Sequence, residues 1–260
     1  MDQPRICSTR QLPMELRIQA AKHAIATYPK NLPEGFDLDD LERPDGARLA
    51  IVVNKWWGRS VDLTVGFLDN PPRELRDKIL AHLNAWTRTA AVRFHEVDTD
   101  PTVRIARLSE SDKPGFGGYW SNVGTDVAFI DRDLPTMNFE GFTLATPERE
   151  FHRVVRHEAG HTLGFPHEHM RRELVERLDR AKVIAAYMKS QGWTEQDVID
   201  QVLTPLEESS ILGTPVTDET SIMCYEIEGE LTLDGKPIVG GLDINETDYH
   251  FASLVYPGET

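Results

Sequence analysis

The stretch His157-Glu158-Ala159-Gly160-His161-Thr162-Leu163-Gly164-Phe165-Pro166-His167 constrains this chain more than any other. On a helix, His157 and His161 are four residues apart and project from one face, close enough to share a metal ion. Gly164 can take the left-handed backbone conformation that ends a helix in a sharp turn. That turn brings His167 back as a third imidazole. Three neutral nitrogens with one open position describe a catalytic zinc site, whereas a structural site is closed by four protein ligands, usually with cysteine among them. Glu158 cannot point the same way as His157, so it is free to hold the water that the metal activates. A carboxylate there serves peptide hydrolysis by taking a proton from the water and later delivering one to the leaving amine.

The helix carrying these residues can be read from its start. Thr146 suits the N-cap, Pro147 the first helical position, and Glu148 and Glu150 complement the positive end of the helix dipole. Phe151, Val155, Ala159 and Leu163 form an apolar stripe. At 100° per residue the two histidines lie about 200° away from Val155 and Ala159. One face is therefore expected in a core and the other on a cleft.

A second constellation, Ser221-Ile222-Met223-Cys224-Tyr225, lies downstream. A zinc stretch followed by a methionine-containing turn resembles the metzincin metallopeptidases, in which that methionine lies beneath the metal. Glu168 directly after the third histidine and Tyr225 two residues after the methionine narrow the resemblance to the astacin family. Gly118-Tyr119-Trp120-Ser121-Asn122-Val123-Gly124 and the separation from His167 to Met223 are similar to the astacin pattern as well. The resemblance covers about residues 50 to 257 and is most specific at the zinc helix and the methionine turn. It implies an α+β, zincin-like fold: a twisted mixed sheet with two long helices in an N-terminal lobe, a mostly irregular and helical C-terminal lobe, and a cleft between them. It also implies one catalytic Zn2+ on His157, His161 and His167, with Glu158 and Tyr225 as catalytic residues. Tyr225 would bind the zinc at rest and swing away to stabilise the transition state. Read without the family, Met223 is a core methionine and Tyr225 a buried tyrosine with a bonded hydroxyl. In matured astacins the new N-terminal amine reaches the position of Glu168, so an uncut chain must satisfy Glu168 with another donor.

At 260 residues the chain is long enough for one sizeable domain or two compact lobes. Its 28 Lys and Arg against 43 Asp and Glu give a net charge of −15, which argues against nucleic acid or anionic membrane as partners. No run approaches the length of a membrane span. The opening residues through Cys7 lack the charged start and apolar core of a secretory signal. Cys7 and Cys224 are the only cysteines, so there is no disulfide framework, whereas secreted astacins carry several half-cystines. Tyr119 stands where the family often has cysteine. These features point to a cytoplasmic setting, with export by a signal-less route as the alternative.

Residues 1–48 read as an N-terminal helical arm or pro-like segment, and 49–260 as the catalytic domain, with an upper lobe over about 49–164 and a lower lobe over about 165–260. Within the arm, 12–28 is a helix and 29–47 a linker or ordered loop. The arm lacks the Phe-x-Gly-Asp motif through which astacin pro-segments place an aspartate on zinc. Cys7 could instead ligate the metal as an inhibitory thiolate, although an ordinary thiol on a structural arm is the preferred reading.

Strands are expected at Leu49 to Val53 and Val61 to Phe67, and around 92–97, 103–106 and 127–130. Trp56 and Trp57 read as packing residues. A helix opens at Pro71-Pro72 and keeps Leu75, Ile79, Leu83 and Trp86 on one face. The run Asp126 to Asp131 is the candidate edge strand of the cleft, to which a peptide or protein substrate would add through main-chain hydrogen bonds. Further on, Thr194 to Asp197 resembles a capping box opening a helix through Leu203, Asp234-Gly235 suggests a hairpin, and Asn245 caps a final helix through Val255. His23, His82, His95, His152 and His250 stand alone without metal-ligand spacing, and His169 is at most a neighbour of the three ligands.

The expected function is zinc-dependent endopeptidase. The competing class is a catalytically idle or latent zinc fold that captures peptides or a protein partner, against which the intact Glu158 argues. Subsite preference and oligomeric state carry no sequence signal.

Overall fold

Runs in which apolar side chains alternate or crowd together pair into one six-stranded sheet: β1 (Cys7–Arg10), β2 (Val61–Phe67), β3 (Val92–Glu96), β4 (Val103–Ala106), β5 (Tyr119–Asn122) and β6 (Met137–Phe139). The computed structural model describes residues 7–43, 53–205 and 217–258. The spatial order is β1-β5-β6-β4-β2-β3. All pairings are parallel except β5 with β6, so the sheet is mixed, as the sequence predicts. β4, central and buried at all four positions, shows no alternation, because both of its faces are covered.

The helix Arg73–Leu83 and the motif helix over 148–162 pack against this sheet. Leu75, Ile79 and Leu83 of the first meet Phe151, Val155, Ala159 and Leu163 of the second in the main core, each at 0% exposure. A second cluster gathers Leu174, Val183, Val198, Val202, Ile227 and Ile238, with Cys7 and Tyr225 at its edge.

Several expectations are corrected. Asp126 to Asp131 is no strand: Gly124–Phe129 is a 3-10 helix. Gly124 turns the chain at φ +47°, where a Cβ would lie 1.9 Å from the Lys55 carbonyl oxygen. Asp126 then faces Lys55 at 3.5 Å and Phe129 meets His23 of the helix Met14–Thr27 edge-on. The apolar residues of that run thus serve helix packing, and the strand beside the cleft is β5. Thr146 does not cap the motif helix: its hydroxyl accepts from the Thr143 N–H at 2.9 Å, and extended Pro147 occupies the N-cap position itself. Phe151–Val155 is a π-helical turn within that helix. Gly235 turns the chain at φ +70°, but its flanks form isolated bridges rather than hairpin strands: Ile227 pairs with Ile238, and Thr232 with Leu178. The strand expected over Leu49 to Val53 lies, but for Val53, outside the described residues.

Other expectations hold. Thr194 with Asp197 and Asn245 with Asp248 both form reciprocal capping boxes. Asn31 fastens the arm to the body by bonding both main-chain groups of Trp56, at 2.8 and 3.0 Å. Among the described residues no helix is long and apolar enough to cross a membrane.

Candidate metal centre

The final turn of the motif helix is built for close approach. A Cβ on Gly160 would lie 2.5 Å from Met223 Sδ, so the helix can settle onto the methionine only with glycine there. Gly164 takes φ +88°, and the Gly164 and Phe165 N–H groups return to His161 and Gly160 carbonyls at 2.8 and 2.9 Å. The terminal carbonyls of Thr162 and Leu163 accept from the Trp57 indole and the Tyr256 hydroxyl at 2.8 and 2.7 Å. The helix end is thereby fixed, and His167 follows it back.

The three predicted ligands converge. His157 Nε2 and His161 Nε2 lie 3.3 and 3.0 Å from His167 Nε2. His157 Nδ1 donates to the Ile222 carbonyl at 2.6 Å and His161 Nδ1 to the Phe165 carbonyl at 2.8 Å. A carbonyl only accepts, so each of these rings carries its proton on Nδ1 and turns a bare Nε2 inward. Burial, first of all, keeps all three rings neutral, with His157 pushed down to about 4 and the other two well below their usual range. Two bare Nε2 atoms thus face His167 Nε2, and His167 Nδ1 has no hydrogen-bond partner. The donor set fits a divalent ion such as zinc.

Glu158 is 0% exposed, and neither carboxylate oxygen has a hydrogen-bond partner of good geometry. Burial pushes it up to about 8, against the pull of the nearby Cys7 thiol and Arg153. A buried, unpartnered carboxylate costs free energy and calls for a partner that the protein itself does not supply.

The structure brings Cys7 beside the three imidazoles. One ligand atom from each of Cys7, His157, His161 and His167 lies within 4.8 Å of every other, so sulfur faces the position expected to stay open. Among the described residues these four side chains form a group that could hold a metal ion. Nothing around Cys7 in the sequence marks this; β1 delivers it by pairing with β5, Cys7 opposite Tyr119. Tyr225 is buried, and its hydroxyl donates to the Cys7 carbonyl. Its ring stacks on buried His169, 3.9 Å between centroids at 18°, and His169 Nε2 bonds the Gln201 carbonyl at 3.0 Å. His169 thus backs Tyr225.

The methionine turn is held by Asp248, a residue that the sequence analysis did not single out. Asp248 accepts from Ser221 Oγ at 2.6 Å and from the Ile222 N–H at 2.9 Å, while Ser221 Oγ accepts from the Met223 N–H at 3.0 Å. Because Ile222 orients His157, the final helix reaches the metal position through this turn. Glu168 finds its other donors in the Asp218 N–H at 3.1 Å and the Arg171 guanidinium at 2.6 Å.

His82 and His152, read as solitary, converge with Glu148 from two helices. Arg156 Nε lies 3.2 Å from His82 Nδ1, so His82 Nε2 carries the proton that meets Glu148 at 3.0 Å. Lys78 holds the other Glu148 oxygen at 2.7 Å, and Asp243 bonds both His152 and Arg156. This is an ion-pair network whose acceptor sites are already taken.

A mixed sheet, a histidine helix ended at glycine and a methionine turn beneath it define an astacin-like zinc peptidase fold of the metzincin type. No protein-family model matches the chain. Two myroilysin structures are similar to it: one is 29% identical, covering 79% of this chain and 97% of that one at a TM-score of 0.71, the other 28% identical at 0.58. The hatching-enzyme zinc protease High choriolytic enzyme 1 from Oryzias latipes shares the fold at 18% identity, covering 77% and 92% of the two chains with a TM-score of 0.51. The Caenorhabditis elegans zinc metalloproteinase nas-27 is 29% identical over 126 residues, 48% of this chain. That match spans only 26% of the curated relative's length.

Proposed function

We propose that this chain is a zinc-dependent endopeptidase whose N-terminal arm holds it latent. The observation that carries the reading is the convergence of bare imidazole nitrogens beside the unpartnered carboxylate of Glu158. His157, His161 and His167 would hold zinc, which when bound polarises the scissile carbonyl and lowers the pKa of a water. Glu158 takes a proton from that water and passes it to the leaving amine nitrogen. Tyr225, released from the Cys7 carbonyl, turns its hydroxyl to the developing oxyanion. The peptide lies along β5, whose outer edge the arm now occupies, and the hollow at Tyr119, Arg153, Val154 and Leu242 receives side chains beyond the metal.

The arm supports the latent form because Cys7 supplies a fourth ligand and β1 fills the substrate's edge. Both cysteines are free and buried, which suits the reducing, cytoplasmic setting proposed from the sequence. The test measures zinc content and cleavage of a quenched peptide library by the full chain. Glu158→Gln should keep one zinc per chain and lose cleavage, and Cys7→Ser should raise cleavage. A folded protein that takes up no zinc, or a Cys7→Ser, Glu158→Gln double variant as active as Cys7→Ser alone, overturns the assignment. Unchanged low cleavage in Cys7→Ser overturns the latency.

A further inference from the structure

The slot that β1 fills has two walls. On one edge the arm pairs with β5, and Asn122 Nδ2 adds a bond to the Arg10 carbonyl at 3.3 Å. On the other edge the Gln201 side chain bonds both main-chain groups of one residue: its Oε1 accepts from the Thr9 N–H at 3.1 Å and its Nε2 donates to the Thr9 carbonyl at 2.9 Å. The Thr9 hydroxyl donates to the same Gln201 Oε1 at 2.9 Å, so the carboxamide grips the N–H and C=O of one residue together with its small hydroxyl side chain.

Next to this clamp is a place for a cation. The Arg10 guanidinium lies 4.1 Å from the Trp120 ring centroid and 5.0 Å from that of Phe116, and it donates to the Gly115 carbonyl. The loop presenting these groups is braced. Glu110 accepts from the Gly115 and Gly117 N–H groups at 2.7 and 3.4 Å, and the Trp120 indole donates to the Phe116 carbonyl at 3.0 Å. Glu110 also attracts Arg10 electrostatically. Two aromatic faces, a carbonyl and a carboxylate form a receptor for a basic side chain; Arg10 fills it against Trp120, while Lys113 Nζ lies 4.3 Å from the Phe116 ring centroid.

We propose that this slot is a substrate subsite: once the arm leaves, it selects an extended peptide with an arginine or lysine about three residues from the scissile bond. Gln201 and β5 hold the main chain, while Phe116 and Trp120 read the cation. The proposal rests on the endopeptidase reading and names the substrate class for it. Arg10 is the internal stand-in for that side chain, three positions from the cysteine at the metal position.

The test uses the full chain carrying Cys7→Ser and Arg10→Ala, which release the arm from the metal position and vacate the cation seat, with Glu158→Gln to prevent turnover. Calorimetry compares a capped hexapeptide of alanine and threonine carrying one arginine with the same peptide carrying norleucine. The arginine peptide should bind about 5-fold tighter or more. Phe116→Ala, a partly exposed position, should erase most of that preference, and Phe116→Tyr should keep it. Equal affinities, or a preference indifferent to Phe116→Ala, overturn the subsite. If the Cys7→Ser, Arg10→Ala chain with intact Glu158 cleaves neither peptide, the endopeptidase reading fails while the binding contrast still decides this one.

Discussion

Asp248 offers the sharpest test of how the fold reaches the metal. It is 7% exposed, and its carboxylate accepts from Ser221 Oγ, the Ile222 N–H and the Asn245 N–H at 2.6, 2.9 and 3.0 Å. Replacing it with alanine removes three bonds and leaves two main-chain donors and a hydroxyl to find other partners. At about 1 kcal/mol for each bond, and more where the acceptor is charged, the loss comes to roughly 3–4 kcal/mol. Burial raises its pKa, offsetting part of the gain, so the lower figure is the better one. The same change frees the Ile222 carbonyl that fixes the His157 ring, and loss of such an orienting contact typically costs about 10- to 100-fold in metal affinity. Chemical denaturation of the metal-free protein gives the first number, and competition with a zinc chelator gives the second. Asp248→Asn, which keeps the shape and can still accept, should fall between. A loss of stability below about 0.5 kcal/mol, or lost stability with zinc affinity unchanged, would refute the claim that the final helix positions His157.

Gly160→Ala sets a methyl against Met223 Sδ, and overpacking of this kind should cost about 1–3 kcal/mol in denaturation. Zinc at 1,000 times its dissociation constant should add about 4 kcal/mol, so chelation should lower the melting temperature, with no change at all for the variant lacking His157 and His161. In the metal-free protein His157, held down to about 4, binds fewer protons than it does unfolded; stability should therefore fall as pH drops from about 6.5 to about 4, by at most about 3 kcal/mol from this ring, and level off below. A flat profile across that window in the metal-free form would count against the buried neutral ring.

The convergence of the three imidazoles was legible because each rests on a local rule: helix spacing for His157 and His161, glycine geometry for the return of His167. Helix caps at Thr194 and Asn245 were legible for the same reason. What escaped depends on contacts distant in sequence. Cys7 carries no local mark of its role, since only the pairing of β1 with β5 brings it to the imidazoles. His82 and His152 sit on separate helices, so their spacing says nothing. The run from Asp126 has strand-like composition, yet its close approach to Lys55 makes it a helical turn. Gln201 and Arg10 show their meaning only with the arm in place.

Glu168 is already neutralised from within, by Arg171 and the Asp218 N–H. A freshly cut amine would find that carboxylate spoken for, so cutting is not what completes this wall. Whether the strap is severed or merely lifts away, the trough it uncovers has the same floor, and a strap still tethered could lie down again.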